Sequence, residues 1–337
     1  MERRLAELPL HGGKAPSWLF QRMWRLAGAI TMAVVDAYGP TEMLRRLADP
    51  WWFQAFGCVL GFDWHSSGLT TVTCGALKEA HRHFGPDLGI LIAGGKGGTS
   101  RHAPREILDA AQRHAINGGD DLVHASRMSA KVDSAAVQDG YQVYHHSFFF
   151  STSGSWCVVQ QGMNKTAGWA RRYHWLGKTV NDFVCEPHEA IVDAAASNRR
   201  GHPGANQLNM VAREAEANRR CSAELIRQNP DRVLDELAHI TQGPSLFAPQ
   251  RHSLLPQDVN GKRLGRIIRA AHERHPTDFH TLLDTRGVGP ATIRSLSLLA
   301  ELIYNAPACH RDPARTAART AHHSQWTARP TTETSHS

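Results

Sequence analysis

Residues 141–163 have the sequence YQVYHHSFFFSTSGSWCVVQQGM, and this stretch decides the fold. Two runs rich in aromatic and β-branched residues flank residues 151–155, Ser-Thr-Ser-Gly-Ser, which are typical of a turn. The pattern therefore predicts a β-hairpin with strands at residues 141–150 and 156–163.

A polar belt interrupts both strands of this hairpin. If Phe150 lies opposite Trp156, counting back gives two more cross-strand pairs, which are His146 with Gln160 and His145 with Gln161. Adjacent strand residues face opposite sides, so one pair points to a site and the other to solvent or a structural bond. Charged residues occur nearby in the sequence: Asp133, Asp139, Arg171 and Arg172. We expect these residues to share a pocket, although a structural role explains each histidine singly.

The chain before the hairpin alternates between helical and strand patterns. Apolar residues at helical spacing predict helices at residues 16–37, 40–47, 70–83 and 104–114. Short apolar runs predict buried strands at residues 56–62 and 88–93. This order predicts a parallel α/β core within a mixed α+β chain. Helical patterns follow at residues 120–137 and from residue 167 onward.

The predicted organisation has an α/β domain at residues 1–200 and a helical domain at residues 201–315. Breaks rich in Gly and Pro occur at residues 201–204 and 242–249. Residues 316–337 contain no Leu, Ile, Val, Met or Phe, so this tail is expected to be disordered.

The overall composition favours a folded protein with polyanionic partners. The net charge is +7, from 38 Lys and Arg against 31 Asp and Glu. The six cysteines form no Cys-x-x-Cys pair, so neither a zinc ribbon nor a thioredoxin-like site is indicated. The sequence has neither a signal-peptide pattern nor an apolar stretch of membrane-spanning length, so we expect a cytoplasmic protein without a membrane partner.

Residues 276–293, PTDFHTLLDTRGVGPATI, contain the pattern that points most directly to a ligand. One predicted helix ends at Gly287-Val288-Gly289 and another begins at the following proline, which suits a first helical position. The glycines allow close backbone approach, so their amides and the second helix's positive end can converge on one phosphate. Residues 276–304, including Thr292, resemble the helix-hairpin-helix of repair enzymes, nucleases and polymerases. A helix cap followed by an ordinary helix is the simpler alternative.

Two further loops carry candidate site residues. Asp63 and His65 follow the predicted strand at residues 56–62, where an aspartate suits a divalent metal, although a turn-forming aspartate explains it almost as well. The glycine-rich loop at residues 94–101 includes Lys96 and can cradle a phosphate, but it lacks the Walker spacing, so nucleotide hydrolysis is disfavoured. A flexible surface loop is its alternative interpretation.

Several longer motifs support a family resemblance, at residues 57–68, 131–140, 146–150, 159–164 and 170–176. These motifs resemble a prokaryotic family catalogued as domain of unknown function 763. The resemblance covers roughly residues 5–315, and it implies no particular activity.

We consider three hypotheses for the function. The first is a DNA-processing enzyme that cleaves phosphodiesters with Mg²⁺ or Mn²⁺. Its candidate metal ligands are Asp63 and Asp133, and its candidate catalytic residues are Asp63, His65, Asp133, Asp139 and His146. The candidate nucleic-acid contacts are Gly287, Val288, Gly289, Thr292, Lys96, Arg171 and Arg172. DNA is favoured over RNA as the partner.

The second hypothesis is a monofunctional DNA base glycosylase. Asp312 lies 23 residues after Gly289, close to where glycosylases with this hairpin keep a catalytic aspartate. Ala291 replaces the lysine of their bifunctional members, so lyase activity is not expected. The third hypothesis is a non-enzymatic DNA- or RNA-binding protein, in which the polar clusters are structural.

Overall fold

The computed structural model describes residues 8–10, 15–193, 207–241 and 261–314. The helices among these residues are α1 (Ser17–Tyr38), α2 (Pro40–Ala48), α3 (Pro50–Val59), α4 (Gly68–Phe84), α5 (Ala103–Arg113), α6 (Gly119–Lys131), α7 (Glu216–Arg227), α8 (Pro230–Thr241), α9 (Gly261–His272), α10 (Phe279–Asp284) and α11 (Pro290–Tyr304). The strands are β1 (Leu91–Lys96), β2 (Val137–Gln138), β3 (Gln142–Phe150), β4 (Trp156–Asn164), β5 (Trp169–Leu176), β6 (Ala190–Asp193) and β7 (Leu208–Asn209). The class is mixed α+β, as predicted.

Five strands form one antiparallel sheet in the order β1-β3-β4-β5-β6, and β2 pairs separately with β7. The predicted hairpin is confirmed with its register, since Phe150 pairs with Trp156, His146 with Gln160 and His145 with Gln161. A register shift beside Tyr144 forms a bulge in β3. The turn at residues 151–155 closes the hairpin through a hydrogen bond from Ser151 N to Ser155 O.

The predicted parallel core is wrong, because all pairings in the sheet are antiparallel. The run at residues 56–62 is not a strand: it continues α3 and its exit turn. Asp49 caps this helix by accepting hydrogen bonds from Trp51 N and Trp52 N, and Pro50 fills its first position. A short apolar run does not distinguish a buried helix from a buried strand. Here the helix cap upstream of the run favours the helix.

The segment after residue 167, predicted to be helical, instead forms β5. Its side chains alternate between the two faces of the sheet, and both faces are buried. Arg171, Tyr173 and Trp175 point to one side, whereas Arg172 and His174 point to the other. A buried strand was not predicted here because its charged residues hide the usual strand pattern, in which successive side chains face opposite sides of the sheet.

Helices cover both faces of the sheet. Helices α1–α4 pack on one side, which we call the α4 face, around Phe149, Cys157 and Val159. Helices α5 and α6 and the C-terminal helices pack on the other side, the α6 face, around Phe148, Phe150 and Val158. Each fully buried phenylalanine contributes roughly 1.5–3 kcal/mol to folding.

One hydrophobic cluster joins the two predicted domains. It contains Leu91 and Phe148 from the first domain together with Phe279 and Leu296 from the second. The predicted boundary at residue 200, both predicted breaks and the tail at residues 316–337 lie outside the described residues. No helix in the described ranges is both long and apolar enough to cross a bilayer.

Candidate functional site

A buried carboxylate lies at the centre of the α6 face. A π-helical turn, Val132–Ala136, follows α6 and carries Asp133, whose side chain is fully buried. Its Oδ1 accepts from His188 Nε2 at 2.5 Å, and its Oδ2 accepts from Gln160 Nε2 at 2.5 Å and Trp175 Nε1 at 3.0 Å. Burial raises the pKa of Asp133, although His188 opposes that shift. Both oxygens accept hydrogen bonds from buried side chains, so Asp133 is held in a closed hydrogen-bond network.

Gln160 extends this network to His146. Gln160 Oε1 lies 2.9 Å from His146 Nδ1, and His146 Nε2 lies 2.9 Å from Ser126 Oγ. Because the Gln160 amide donates to Asp133, His146 Nδ1 donates to Gln160 and the Ser126 hydroxyl donates to His146. Burial lowers the pKa of His146 to about 4, so this imidazole is neutral at neutral pH. Ser126 is 2% exposed, so the arrangement is a closed structural network rather than an open nucleophile.

Asp139 anchors a second buried network on the same face. Its Oδ2 accepts from Arg171 Nη1 at 2.8 Å and from Tyr173 Oη at 2.7 Å. Arg171 Nη2 also donates to Asp312 Oδ2 at 2.8 Å, and the guanidinium lies over the Tyr141 ring. Asp312, the predicted glycosylase residue, is thus held in an ion pair. Arg171 is fully buried, which corrects its prediction as a surface contact to nucleic acid.

Asp63 and His65 lie on the opposite side of the sheet from Asp133. Both are exposed, in the loop of residues 61–67 that joins α3 to α4. This loop contacts the α4 face, where Gln161 Nε2 donates to Ser67 O at 2.9 Å. Since Gln160 and Gln161 face opposite sides, the sheet separates the predicted metal ligands Asp63 and Asp133 and they do not share a site. The described residues contain no group of three or more His, Cys, Asp or Glu side chains arranged to hold a metal ion.

Four polar side chains form a continuous line across the α4 face, which we call the polar row. Cross-strand pairing joins Lys96 to His145, His145 to Gln161, and Gln161 to Arg172. His145, Gln161 and Arg172 are buried, whereas Lys96 is exposed at the end of β1. The row therefore runs from solvent into the protein.

Arg172, predicted to bind nucleic acid at the surface, is instead fully buried at the inner end of this row. It donates to Gln54 Oε1 at 2.9 Å, to Thr70 Oγ1 and Pro50 O at 3.4 Å each, and to His174 Nε2 at 2.8 Å. All four acceptors are uncharged, because burial and the adjacent guanidinium also lower the pKa of His174. Burial lowers the pKa of Arg172 to about 9.

The glycine-rich loop at residues 94–101 is more ordered than its composition indicates. Gly94 and Lys96 belong to β1, and a 3-10 turn at Gly97–His102 leads into α5. Gly94 N donates to Glu106 Oε2 at 2.7 Å, so a carboxylate already occupies the first amide of the predicted phosphate loop. Gly94 has a φ of +84°, and a Cβ there would lie 2.3 Å from His146 O.

The segment predicted to grip phosphate forms two helices joined by a short turn at residues 285–289. A capping box begins α10, with Asp278 Oδ1 accepting from Thr281 N. Gly287 is exposed with a φ of +92°, and α11 begins at Pro290 without a side-chain cap. The 285–289 turn therefore presents an uncapped helix start at the surface. Val288 is buried beneath the turn.

Lys131, at the end of α6, fixes the 285–289 turn from below. Its Nζ donates to Leu283 O at 2.5 Å, Thr285 O at 2.6 Å and Val288 O at 3.5 Å. Burial lowers the pKa of Lys131 to about 8, so the ammonium remains charged at neutral pH. Thr292, a predicted phosphate contact, is 1% exposed. Its side chain therefore lies on the buried side of α11 and does not face a ligand.

Several members of these networks were not predicted from the sequence. His188 lies 55 residues after Asp133, and Gln54 lies 118 residues before Arg172. Neither distance leaves a local pattern. The alternation of β5 was the available signal for Trp175, because it places that residue on the same face as Arg171.

The comparisons with known proteins identify a family and no activity. The model of the family described as "Protein of unknown function (DUF763)" matches residues 4–321. No curated protein and no solved structure gives a significant match. Because the match spans far more than half of the sequence, the chain belongs to the DUF763 family, as its motifs predicted.

Proposed function

We propose that this protein binds nucleic acid by holding backbone phosphate at the 285–289 turn. The observation that carries the proposal is the start of α11, a 15-residue helix without a side-chain cap beside an exposed glycine of positive φ. The first amides of a helix and its dipole together favour a phosphate oxygen. Gly287 leaves room for that oxygen, since among the described residues a Cβ there would meet only Ile267, at 3.7 Å.

Basic side chains surround this turn and support the proposal. Arg286 is exposed on the turn itself. Helix α9 packs beside the turn through Ile267, and it exposes Lys262, Arg263 and Arg266. Arg263 precedes Ile267 by one helical turn, so it projects from the face nearest Gly287. A second phosphate of the bound nucleic-acid strand would therefore meet a positively charged surface.

The hydrogen bonds that hold the 285–289 turn in place also suit phosphate binding. Lys131 places a positive charge behind the carbonyl oxygens of the turn, and its three bonds fix the backbone. Gln138 Nε2 donates to Pro290 O at 3.0 Å, while Arg294 Nε donates to Gln138 Oε1 at 2.8 Å. A preorganised turn loses less entropy when it binds a ligand.

Binding at the turn does not require cleavage, which is a separate hypothesis. Asp133 and Asp139 are engaged in buried hydrogen bonds, and Asp63 lies across the sheet from them. Metal-assisted cleavage with Mg²⁺ or Mn²⁺ therefore needs a site outside the arrangement predicted from sequence. Phosphate contacts read no base sequence, so we expect DNA of any sequence to bind.

The test compares two glycine substitutions of equal charge, both at exposed glycines of positive φ. Gly287→Glu places a carboxylate in the 285–289 turn, whereas Gly168→Glu places one in the β4–β5 turn, at an exposed glycine with a φ of +77°. Fluorescence anisotropy with labelled DNA and RNA across a salt series measures the affinity. We expect Gly287→Glu to lose binding and Gly168→Glu to retain it.

The salt dependence gives a second criterion. Each phosphate contact contributes about 0.9 to the slope of log K against log salt on duplex DNA. Arg286→Ala removes the exposed cation of the turn itself and should therefore lower the slope by about 1. Equal losses for the two glutamate variants, or no binding by the wild type, would refute the proposal. Product gels with Mg²⁺ or Mn²⁺ on the same samples test cleavage.

A further inference from the structure

The polar row contains a buried positive charge that has no negative partner among the described residues. Arg172 is fully buried, and no carboxylate within the described ranges contacts it. Buried charges are normally paired, because an isolated one loses its hydration without an equivalent return. Neutral acceptors occupy its donors but leave the charge uncompensated. The inner end of the row is therefore a region of positive potential.

Two atoms of the same row have no hydrogen-bond partner among the residues that the structure describes. His145 Nδ1 and Gln161 Oε1 are both buried, and neither has a partner in the part of the chain that the structure describes. Buried polar atoms are nearly always paired with protein or water. These two belong to directly paired residues of β3 and β4 and face the same side. A ligand with both an acceptor and a donor would satisfy them.

The loop before α4 contacts this part of the row. Gln161 Nε2 donates to Ser67 O, and Ser67 immediately precedes this 17-residue helix. The first amides of the helix are occupied within the chain, since Gly68 N donates to Ser66 Oγ at 3.1 Å and Leu69 N donates to Ser66 O at 3.3 Å. The loop therefore closes one side of the row without adding a free donor.

The row opens to solvent at its outer end. Lys96 is exposed, and its Nζ lies 6.0 Å from the centroid of the half-buried Tyr144 ring. The Tyr144 hydroxyl accepts from Gln161 Nε2 at 2.5 Å, so this tyrosine connects the exposed lysine to the buried amide. The bulge in β3 turns Tyr144 towards the row.

We infer that the polar row binds a phosphate monoester that carries a hydroxyl group. Lys96 holds the phosphate, and His145 Nδ1 donates to one of its oxygens. In that tautomer the Ser147 hydroxyl donates to His145 Nε2, across the observed 3.0 Å contact. Gln161 Oε1 accepts from the ligand hydroxyl, and Arg172 balances the charge without touching the ligand. This site lies on the α4 face and is separate from the 285–289 turn.

The site is tested by calorimetric titration with inorganic phosphate and with a nucleoside monophosphate. Lys96→Ala removes the exposed cation without disturbing the core, and Lys165→Ala, at an exposed lysine of the β4–β5 turn, is its matched control. We expect Lys96→Ala to weaken binding about tenfold or more and Lys165→Ala to leave it unchanged. Tyr144→Phe should weaken binding as well.

The Gly287→Glu background separates this site from the proposed nucleic-acid turn, because it should leave monoester binding intact. In that background, an oligonucleotide with a 5′-phosphate and its 5′-hydroxyl counterpart distinguish a strand end from a free monoester. Tighter binding of the phosphorylated strand identifies a strand end as the ligand, and binding of the monoester alone identifies a small molecule. If the wild type binds no phosphate compound, or if Lys96→Ala binds them equally well, Arg172 is structural and the inference is wrong.

Discussion

Replacing Lys131 by Met tests whether the 285–289 turn depends on the ammonium beneath it. Methionine keeps most of the apolar stem and removes the charge and all three hydrogen bonds. The bonds to Leu283 O and Thr285 O are short, whereas the bond to Val288 O is at the limit of a contact. In the variant, Thr285 O still accepts a hydrogen bond from Val288 N at 3.2 Å, so Leu283 O is the oxygen most affected by the lost ammonium. We expect a loss of about 2–4 kcal/mol in the free energy of unfolding.

Urea denaturation followed by circular dichroism measures this loss, and anisotropy on the same protein measures nucleic-acid affinity. Lys165→Met, at an exposed position, should change the free energy of unfolding by less than about 0.5 kcal/mol. We expect Lys131→Met to weaken both folding and binding. A stability within the range of the Lys165→Met control, with unchanged affinity, would show that the turn holds its shape without the ammonium.

Three further outcomes follow from the buried groups. Burial lowers the pKa of His145 to about 3 and that of His146 to about 4, below the ordinary value of 6.5. Each neutral imidazole therefore contributes its full stability above pH 6.5, and this contribution falls by about 1.4 kcal/mol per pH unit as the pH drops towards the lowered pKa. Urea titrations from pH 7 to 4 measure this loss. His146→Gln should reduce the dependence of the free energy of unfolding on pH. Asp133→Ala should lower the free energy of unfolding by about 3–5 kcal/mol. Asp133→Asn should lower it by less, because its amide oxygen can still accept from the two donors that contact Oδ2. Equal losses in thermal melts would contradict this account. Nucleic-acid affinity at fixed salt should fall as the pH rises through about 8, where Lys131 loses its proton, and the residual binding of Lys131→Met should stay constant.

The hairpin was predictable because its information is local. A five-residue turn fixes the offset between two strands, so the partners of His145 and His146 followed by counting. The helix from Ser17 to Tyr38 was predictable for a similar reason, since one amphipathic pattern spans its length.

The partners of the buried charges were not predictable, because they depend on tertiary contacts. Arg171 and Arg172 are adjacent in the sequence, and both were predicted to contact nucleic acid. In the fold, the strand sends Arg171 to Asp139 and Arg172 to Gln54 on opposite sides of the sheet. A charge pattern alone does not distinguish a solvated pair from two buried ones. The metal hypothesis had the same weakness, because it grouped Asp63 with Asp133 without knowing the strand order.

The π-helical turn at Val132–Ala136 makes this segment sensitive to length as well as to composition. It adds one residue to the helical repeat between Lys131, which holds the turn at residues 285–289, and Gln138, which contacts Pro290. Deleting a single residue would let α6 continue as a regular helix and rotate the following positions by about 100°. Asp133 and Gln138 would then no longer reach their partners together. Among natural variants of this protein, we expect point substitutions in the segment to be tolerated more often than one-residue insertions or deletions.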